Sequence, residues 1–170
     1  AASSSGGRRG APSHLGLVAI RRARLRRRRQ GHSLLTVHRL AVRVYFEDTD
    51  AGGILYHGSH MRFFERGRTE FLRDLGISQS ATADRTDPDA LLFVVRKFSI
   101  EYRKPGLLDD LLTVETEIAS ISGPRFTVSQ RLLRENDLIA SAEVEVVAIA
   151  GNGRPRRLPP AMAALIEGAR

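Results

Sequence analysis

The chain has no cysteine, which removes disulfide frameworks, thiolate metal sites and cysteine nucleophiles from consideration. Any metal would need His, Asp or Glu. Acidic residues are missing from residues 1–40, where ten arginines stand unopposed. Residues 41–170 hold 17 basic against 19 acidic side chains, so the net charge of +8 belongs to the opening arm. A nucleic-acid partner, the usual reading of such a charge, is therefore confined to that arm. Lysine is scarce, with only Lys97 and Lys104, and the arginine bias reads as codon usage of a GC-rich genome rather than as function. Long hydrophobic runs are missing too. In the arm, residues 15–20 fall short of the roughly 20 residues of a membrane-spanning helix and of the usual signal-peptide core of about 7–15.

What is present divides the chain in two. Residues 1–38 are rich in Ser, Gly and Arg and cannot bury a core, so disorder is expected there. Their composition matches an organelle transit peptide, although an extension without a role is the preferred reading. Residues 39–170 form one domain. Alternation over 41–46 predicts a strand. From His57 to Leu75, Met61, Phe64, Phe71, Leu72 and Leu75 fall at helical spacing and Gly76 supplies a stop. Gly67 inside this helix should cost about 1 kcal/mol relative to alanine, with close packing against a neighbouring backbone as one compensation.

Residues 78–89 read as a polar loop. Four strands follow: 91–102, one through Leu112, Val114, Thr116 and Ile118, one from Phe126 to Leu132 after a turn at 122–124, and 140–150. A short helix begins near Pro160. One long helix followed by consecutive strands predicts α+β architecture, a central helix on a five-stranded antiparallel sheet. Exposed strand edges, and one helix for two sheet faces, predict a homodimer or homotetramer.

The chemistry-bearing segment is Tyr45-Phe-Glu-Asp-Thr-Asp-Ala-Gly-Gly-Ile-Leu-Tyr-His57, a carboxylate and two glycines between a strand and a helix. Helix N-termini present unpaired amides, and glycines permit close backbone approach. The segment, with Glu65-Arg-Gly-Arg-Thr-Glu70, Phe93-Val-Val-Arg-Lys97, Glu101-Tyr102 and Leu108-Asp-Asp110, resembles the hotdog acyl-CoA thioesterases of the 4-hydroxybenzoyl-CoA type. The resemblance is to the bacterial branch associated with the Tol-Pal envelope system and covers residues 40–164. It departs at His60, where an aromatic residue is commoner, and at Gly67, usually alanine.

The resemblance implies a hotdog fold, hydrolysis of an acyl-CoA without a cofactor, and a cytoplasmic protein near the inner membrane with at most peripheral membrane contact. It implies Asp50 as the catalytic carboxylate and the His57 amide as the group that polarises the thioester carbonyl, with Gly58 beside it in substrate binding. An amide at a helix N-terminus favours a developing oxyanion, and a nearby carboxylate can activate water or attack the acyl carbon. General base and nucleophile both stay open. A thiol leaving group with a pKa near 8.5, by analogy with cysteine, makes a strong general acid dispensable. Arg96, Lys97, Arg103 and Lys104 are candidates for CoA phosphates, Arg96 and Lys97 being the pair selected, against the plainer reading of surface charge on strands. An acyl carrier protein is an alternative acyl donor.

Plainer roles compete with these. On spacing alone, Asp50 suits a turn or N-cap, and only the motif reverses that preference. Asp48 is assigned to turn stabilisation, and Glu65, a mid-helix carboxylate position in another hotdog lineage, to an ion pair with an arginine. A metal-dependent phosphotransferase built on Asp48, Asp50, Asp109 and Asp110 would want a parallel α/β sheet. A calcium loop fails because Gly52 stands at a ligand position. A nucleic-acid-binding module would rely on residues 8–29 alone, and a non-catalytic CoA- or carrier-protein-binding hotdog protein is opposed by the intact Asp50.

Overall fold

The computed structural model describes residues 37–83 and 90–170. Expectations for residues 1–36, and for 84–89 of the polar loop, lie outside them. The chain forms β1 (His38–Arg43), a 3₁₀ turn at Phe46–Asp48, α1 (His57–Asp74) and α2 (Gln79–Thr82). It continues with β2 (Leu91–Tyr102), β3 (Leu111–Ser122), β4 (Arg125–Arg134), β5 (Asp137–Ala150) and α3 (Pro160–Glu167). All five strands form one antiparallel sheet in the order β1-β3-β4-β5-β2. Consecutive strands β3, β4 and β5 pair as hairpins. The left-handed Gly123 (φ +62°) makes the first turn, a conformation that glycine adopts without steric cost.

α1 lies on one face of the sheet. Its buried stripe, Ser59, His60, Phe63, Phe64, Gly67, Arg68, Phe71 and Leu72, repeats at three and four residues, as an amphipathic helix requires. Met61 is half exposed, contrary to its expected place in the core, because it lies off this stripe; Phe63 takes the core position instead. Phe63 and Phe64 are fully buried in one core cluster with Leu112, Val114, Val128 and Val144, each contributing on the order of 1.5–3 kcal/mol.

Gly67 lets the helix sit low, since a Cβ there would stand 2.6 Å from Val114 Cγ1 and 3.0 Å from Thr116 Oγ1. The close approach is to side chains of the sheet and not, as expected, to a neighbouring backbone. Gln130, 1% exposed, crosses the same contact: its amide donates to the Phe64 carbonyl and to Thr116 Oγ1, both at 2.9 Å, and its carbonyl accepts from Arg68 at 2.8 Å.

Two boundaries differ from expectation. β1 begins at His38, whose ring packs edge-on against Phe71, so the domain reaches into the residues assigned to the arm. It ends at Arg43, because the chain turns at 46–48 to build the loop before α1. The opposite sheet face is ionic rather than apolar: Glu115 takes Arg39 and Arg131, and Glu145 takes Arg96 and Arg125.

Candidate active site

The loop between β1 and α1 is fastened at both ends. Asp48, 1% exposed, accepts the Tyr45 amide on its carboxylate at 3.1 Å and stands 3.6 Å from the Arg62 guanidinium. Its main-chain carbonyl accepts the Tyr56 amide at 2.8 Å. This is the turn-stabilising role expected of it. Between these points the chain folds back on itself, with Thr49 and Leu55 bridged and the Asp50 amide donating to the Ile54 carbonyl at 2.9 Å. Gly53, at φ +75°, closes the turn by donating to the Asp50 carbonyl.

Asp50 is exposed. Its Oδ1 accepts the Gly52 amide at 2.8 Å, so the turn-forming role weighed for it is present, and it orients the carboxylate while leaving Oδ2 without a partner among the described residues.

α1 starts from Tyr56 in extended conformation, with no side chain capping its N-terminus. The Ser59 amide turns back to the Tyr56 carbonyl at 2.8 Å. The amides of His57 and Gly58 have no partner among the described residues. Two free N–H groups at the positive end of an 18-residue helix form a site for developing negative charge. Gly58 keeps that approach narrow, because a Cβ would meet the Tyr56 ring at 2.6 Å, and that ring lies on His57, centroids 4.2 Å apart.

A cleft of about 510 Å³ joins these groups. Asp50, His57, His60, Tyr102, Arg103 and Lys104 line it. His60 is 4% exposed, and burial, helped by the neighbouring His57, pushes its pKa below the ordinary 6.5. Its Nδ1 lies 3.1 Å from the Tyr56 carbonyl. The Tyr102 ring meets it edge-on at 4.9 Å; burial raises the Tyr102 pKa, and its hydroxyl donates to the His57 carbonyl at 3.4 Å.

The structure thus brings Asp50 and His57 to one cleft; Gly58 follows His57 in α1 but is not among the residues that line it, and Arg96 and Lys97 are not brought there. Arg96 holds Glu145 at 2.8 Å, and Lys97 is exposed opposite Glu145 in the ladder. The basic groups at the cleft are Arg103 and Lys104, paired with Glu101 and Asp137, both at 2.7 Å. Glu65 lines a separate groove of about 500 Å³ between α1 and β2, with Met61, Arg62, Val95 and Phe98. It pairs with the buried Arg68 and accepts the Thr69 hydroxyl, as its assignment to an ion pair anticipates. Among the described residues no group of three or more His, Asp or Glu could hold a metal ion.

The model of the family described as thioesterase-like superfamily matches residues 44–166. The chain belongs to that family. This thioesterase is similar to the acyl-CoA thioester hydrolase YbgC of Escherichia coli, 45% identical over 131 residues that cover 76% of this chain and 95% of that protein. It is also similar to the acyl-CoA thioesterase YbgC of Haemophilus influenzae, 42% identical over 69% of this chain and 85% of the relative. Among solved structures, a probable thioesterase from Bartonella henselae is 41% identical and superposes with a TM-score of 0.69 over 72% of this chain and 99% of that one. The hotdog fold, α1 cradled by the antiparallel sheet, is shared with it.

Proposed function

We propose that this thioesterase hydrolyses acyl-CoA to a free acid and CoA, with Asp50 as base or nucleophile and the His57 amide receiving the carbonyl oxygen. The observation that carries the reading is the shared cleft. Asp50, with one carboxylate oxygen unpaired among the described residues, and His57, whose helix-terminal amide is unpaired among them too, line one cavity. In the base route, Asp50 takes a proton as water adds to the acyl carbon; in the nucleophile route, Oδ2 adds first and water resolves the anhydride. In either route the C–S bond breaks and the thiolate leaves, while the amides stabilise the oxyanion. The names of the 45% and 42% identical relatives support CoA as the carrier.

Arg103 and Lys104, rather than Arg96 and Lys97, are the groups assigned to the CoA phosphates. Their present ion pairs are exposed and worth little, so a phosphate can displace the carboxylates. The working unit is a homodimer joined along β2. This 12-residue edge strand leaves Val94, Val95 and Tyr102 between 38% and 49% exposed, and a second copy would cover the edge. The ionic outer face supports edge pairing over stacking of sheets.

Thiol release from a panel of acyl-CoA thioesters tests the activity. Turnover of at least one class is expected. Saturable CoA binding with no release across the panel would instead favour a non-catalytic acyl-binding protein.

A further inference from the structure

The motif Leu108-Asp-Asp110 lies in the connection from β2 to β3, and none of its residues lines the cleft. That connection nevertheless grips the Asp50 loop on both sides. At the loop's entry the Val44 amide donates to the Asp110 carbonyl and the Asp109 amide to the Val44 carbonyl, both at 3.0 Å. At its exit the Leu55 amide donates to the Gly106 carbonyl at 2.9 Å, and Ile54 is bridged to Leu107. The Ile54 carbonyl in turn accepts the Asp50 amide, so Asp50 stands one hydrogen bond from the strip of chain that Leu107 holds.

The two sides are held differently. The Val44 side is main chain against main chain, bent into place by Asp109 at φ +67°, a conformation aspartate tolerates better than most residues, with the Asp109 carbonyl taken by Arg43 at 2.8 Å. The Leu107 side depends on a side chain. Asp110 Oδ2 accepts both the Leu107 amide and the Arg134 guanidinium at 2.8 Å, while the Asp110 amide donates back to the Leu107 carbonyl at 3.1 Å. Arg134 ends β4, an interior strand of the sheet, so the turn over 107–110 is tied to the rigid frame. The carboxylate is 17% and the guanidinium 31% exposed, and a pair drawn this far out of water gains little net stability from its charges. Its effect is on place: it sets where the Leu107 amide stands, and with it Ile54. We propose that Asp110, anchored by Arg134, is a positioning residue for the hydrolysis, which through Leu107 and Ile54 holds the Asp50 carboxylate in register with the His57 amide. The inference rests on the reaction taking place at Asp50 and that amide.

The test measures kcat and KM, on an acyl-CoA that wild type hydrolyses, for full-length Asp110→Ala, Asp110→Asn, Asp50→Asn and the double variant Asp50→Asn with Asp110→Ala. Asp110→Ala should stay folded, because the Val44 contacts are main chain, and should lose roughly ten- to hundredfold in kcat, the cost of misplacing a reacting group by about 1 Å, with KM changed little. Asp110→Asn, which keeps an acceptor for the Leu107 amide, should recover much of the loss. In the Asp50→Asn background the alanine substitution should cost less than about twofold more, since a residue that acts through another is not additive with it. A purely structural role predicts losses that multiply. Multiplied losses overturn the proposal, as does a folded Asp110→Ala enzyme with wild-type kcat. If Asp110→Ala does not fold, Arg134→Met, alone and with Asp50→Asn, makes the same comparison. Asp50→Asn by itself separates the two readings: if it loses turnover while the losses multiply, only the positioning proposal falls; if it retains full turnover, the site itself is misplaced.

Discussion

The Tyr56 amide donates to the Asp48 carbonyl at 2.8 Å, so one hydrogen bond joins the end of the 3₁₀ turn to the residue that opens α1. Everything between, Asp50 included, is a loop whose ends are fixed together. The Asp48 carboxylate steadies the same junction from the side, through the Tyr45 amide and Arg62. Asp48→Asn keeps an acceptor but loses the charge. Stability should fall by about 1 kcal/mol, in line with loss of a charge-assisted contact, and turnover by less than tenfold. Denaturant melts and steady-state rates on the variant check both.

Gly67→Ala sets two opposed effects against each other. Helix propensity favours alanine by about 1 kcal/mol, but the new methyl would stand 2.6 Å from Val114 Cγ1 and 3.1 Å from the Gln130 amide nitrogen. Overpacking of this kind costs typically 1–3 kcal/mol. The packing term should win because Gln130 is held by three hydrogen bonds and cannot yield without breaking one. A lower urea midpoint at unchanged slope is the expected result; a higher midpoint would mean that α1 lifts from the sheet at little cost.

His60 makes stability depend on pH in a definite direction. Burial, the largest cause, and then the nearby His57 hold its folded pKa below the ordinary 6.5, while Tyr102 meets it edge-on and Asp50, Arg103 and Lys104 share its cleft. Between the folded pKa and 6.5 the unfolded chain binds the proton first, so stability rises with pH there. The contribution is complete above about 6.5 and is lost as pH falls through that window. Melting curves across pH 5 to 8 should show a decline on the acid side that is shallower in His60→Phe. Equal slopes in the two proteins would count against a buried neutral imidazole.

Much of this arrangement is legible from residues alone, and what is not has a physical cause. α1 reads clearly because its apolar stripe keeps one period from Phe63 to Leu72 and Gly76, at φ +81°, stops it. Asp50 and His57 are legible through a motif whose members are close in sequence. β2 is different. Its register shifts between Val95 and Lys97, so Phe93 and Val95 face α1 before the bulge and Phe98 and Tyr102 face it after. An extra residue reverses the alternation, and Arg96 stands at the break. All four basic residues read alike in one dimension, and only the fold separates Arg103 and Lys104, which line the cleft, from Arg96 and Lys97, which do not. His60 is legible only as an unusual residue, since its neighbours Tyr102 and Asp50 come from other elements.

The exposed edge of β2 yields a prediction about assembly. Light scattering should give a dimer at micromolar concentration. Val95→Glu, placed at a position 49% exposed on that edge, should shift it toward monomer by setting like charges near one another across the pairing. A strictly monomeric, fully active wild type would overturn the edge-paired dimer.

Asp50 and Glu65 distinguish two ways of building a carboxylate site on this fold. Asp50 presents a free oxygen to the cleft that holds the His57 amide. Glu65 is committed to Arg68, which is itself 7% exposed and bound to Gln130. Asp50→Asn preserves shape and the Gly52 hydrogen bond but removes the charge needed to activate water or attack carbon. Turnover should fall on the order of 10²–10⁴-fold, the range for a positioned acid-base group, with KM changed much less because no binding contact is deleted. Glu65→Gln should act mainly on stability, since it leaves a buried guanidinium with a weaker partner, and should cost turnover less than tenfold. Circular dichroism on both variants separates misfolding from chemistry. If folded Glu65→Gln is the more damaged enzyme, the reaction belongs to the groove between α1 and β2 and not to the loop that carries Asp50.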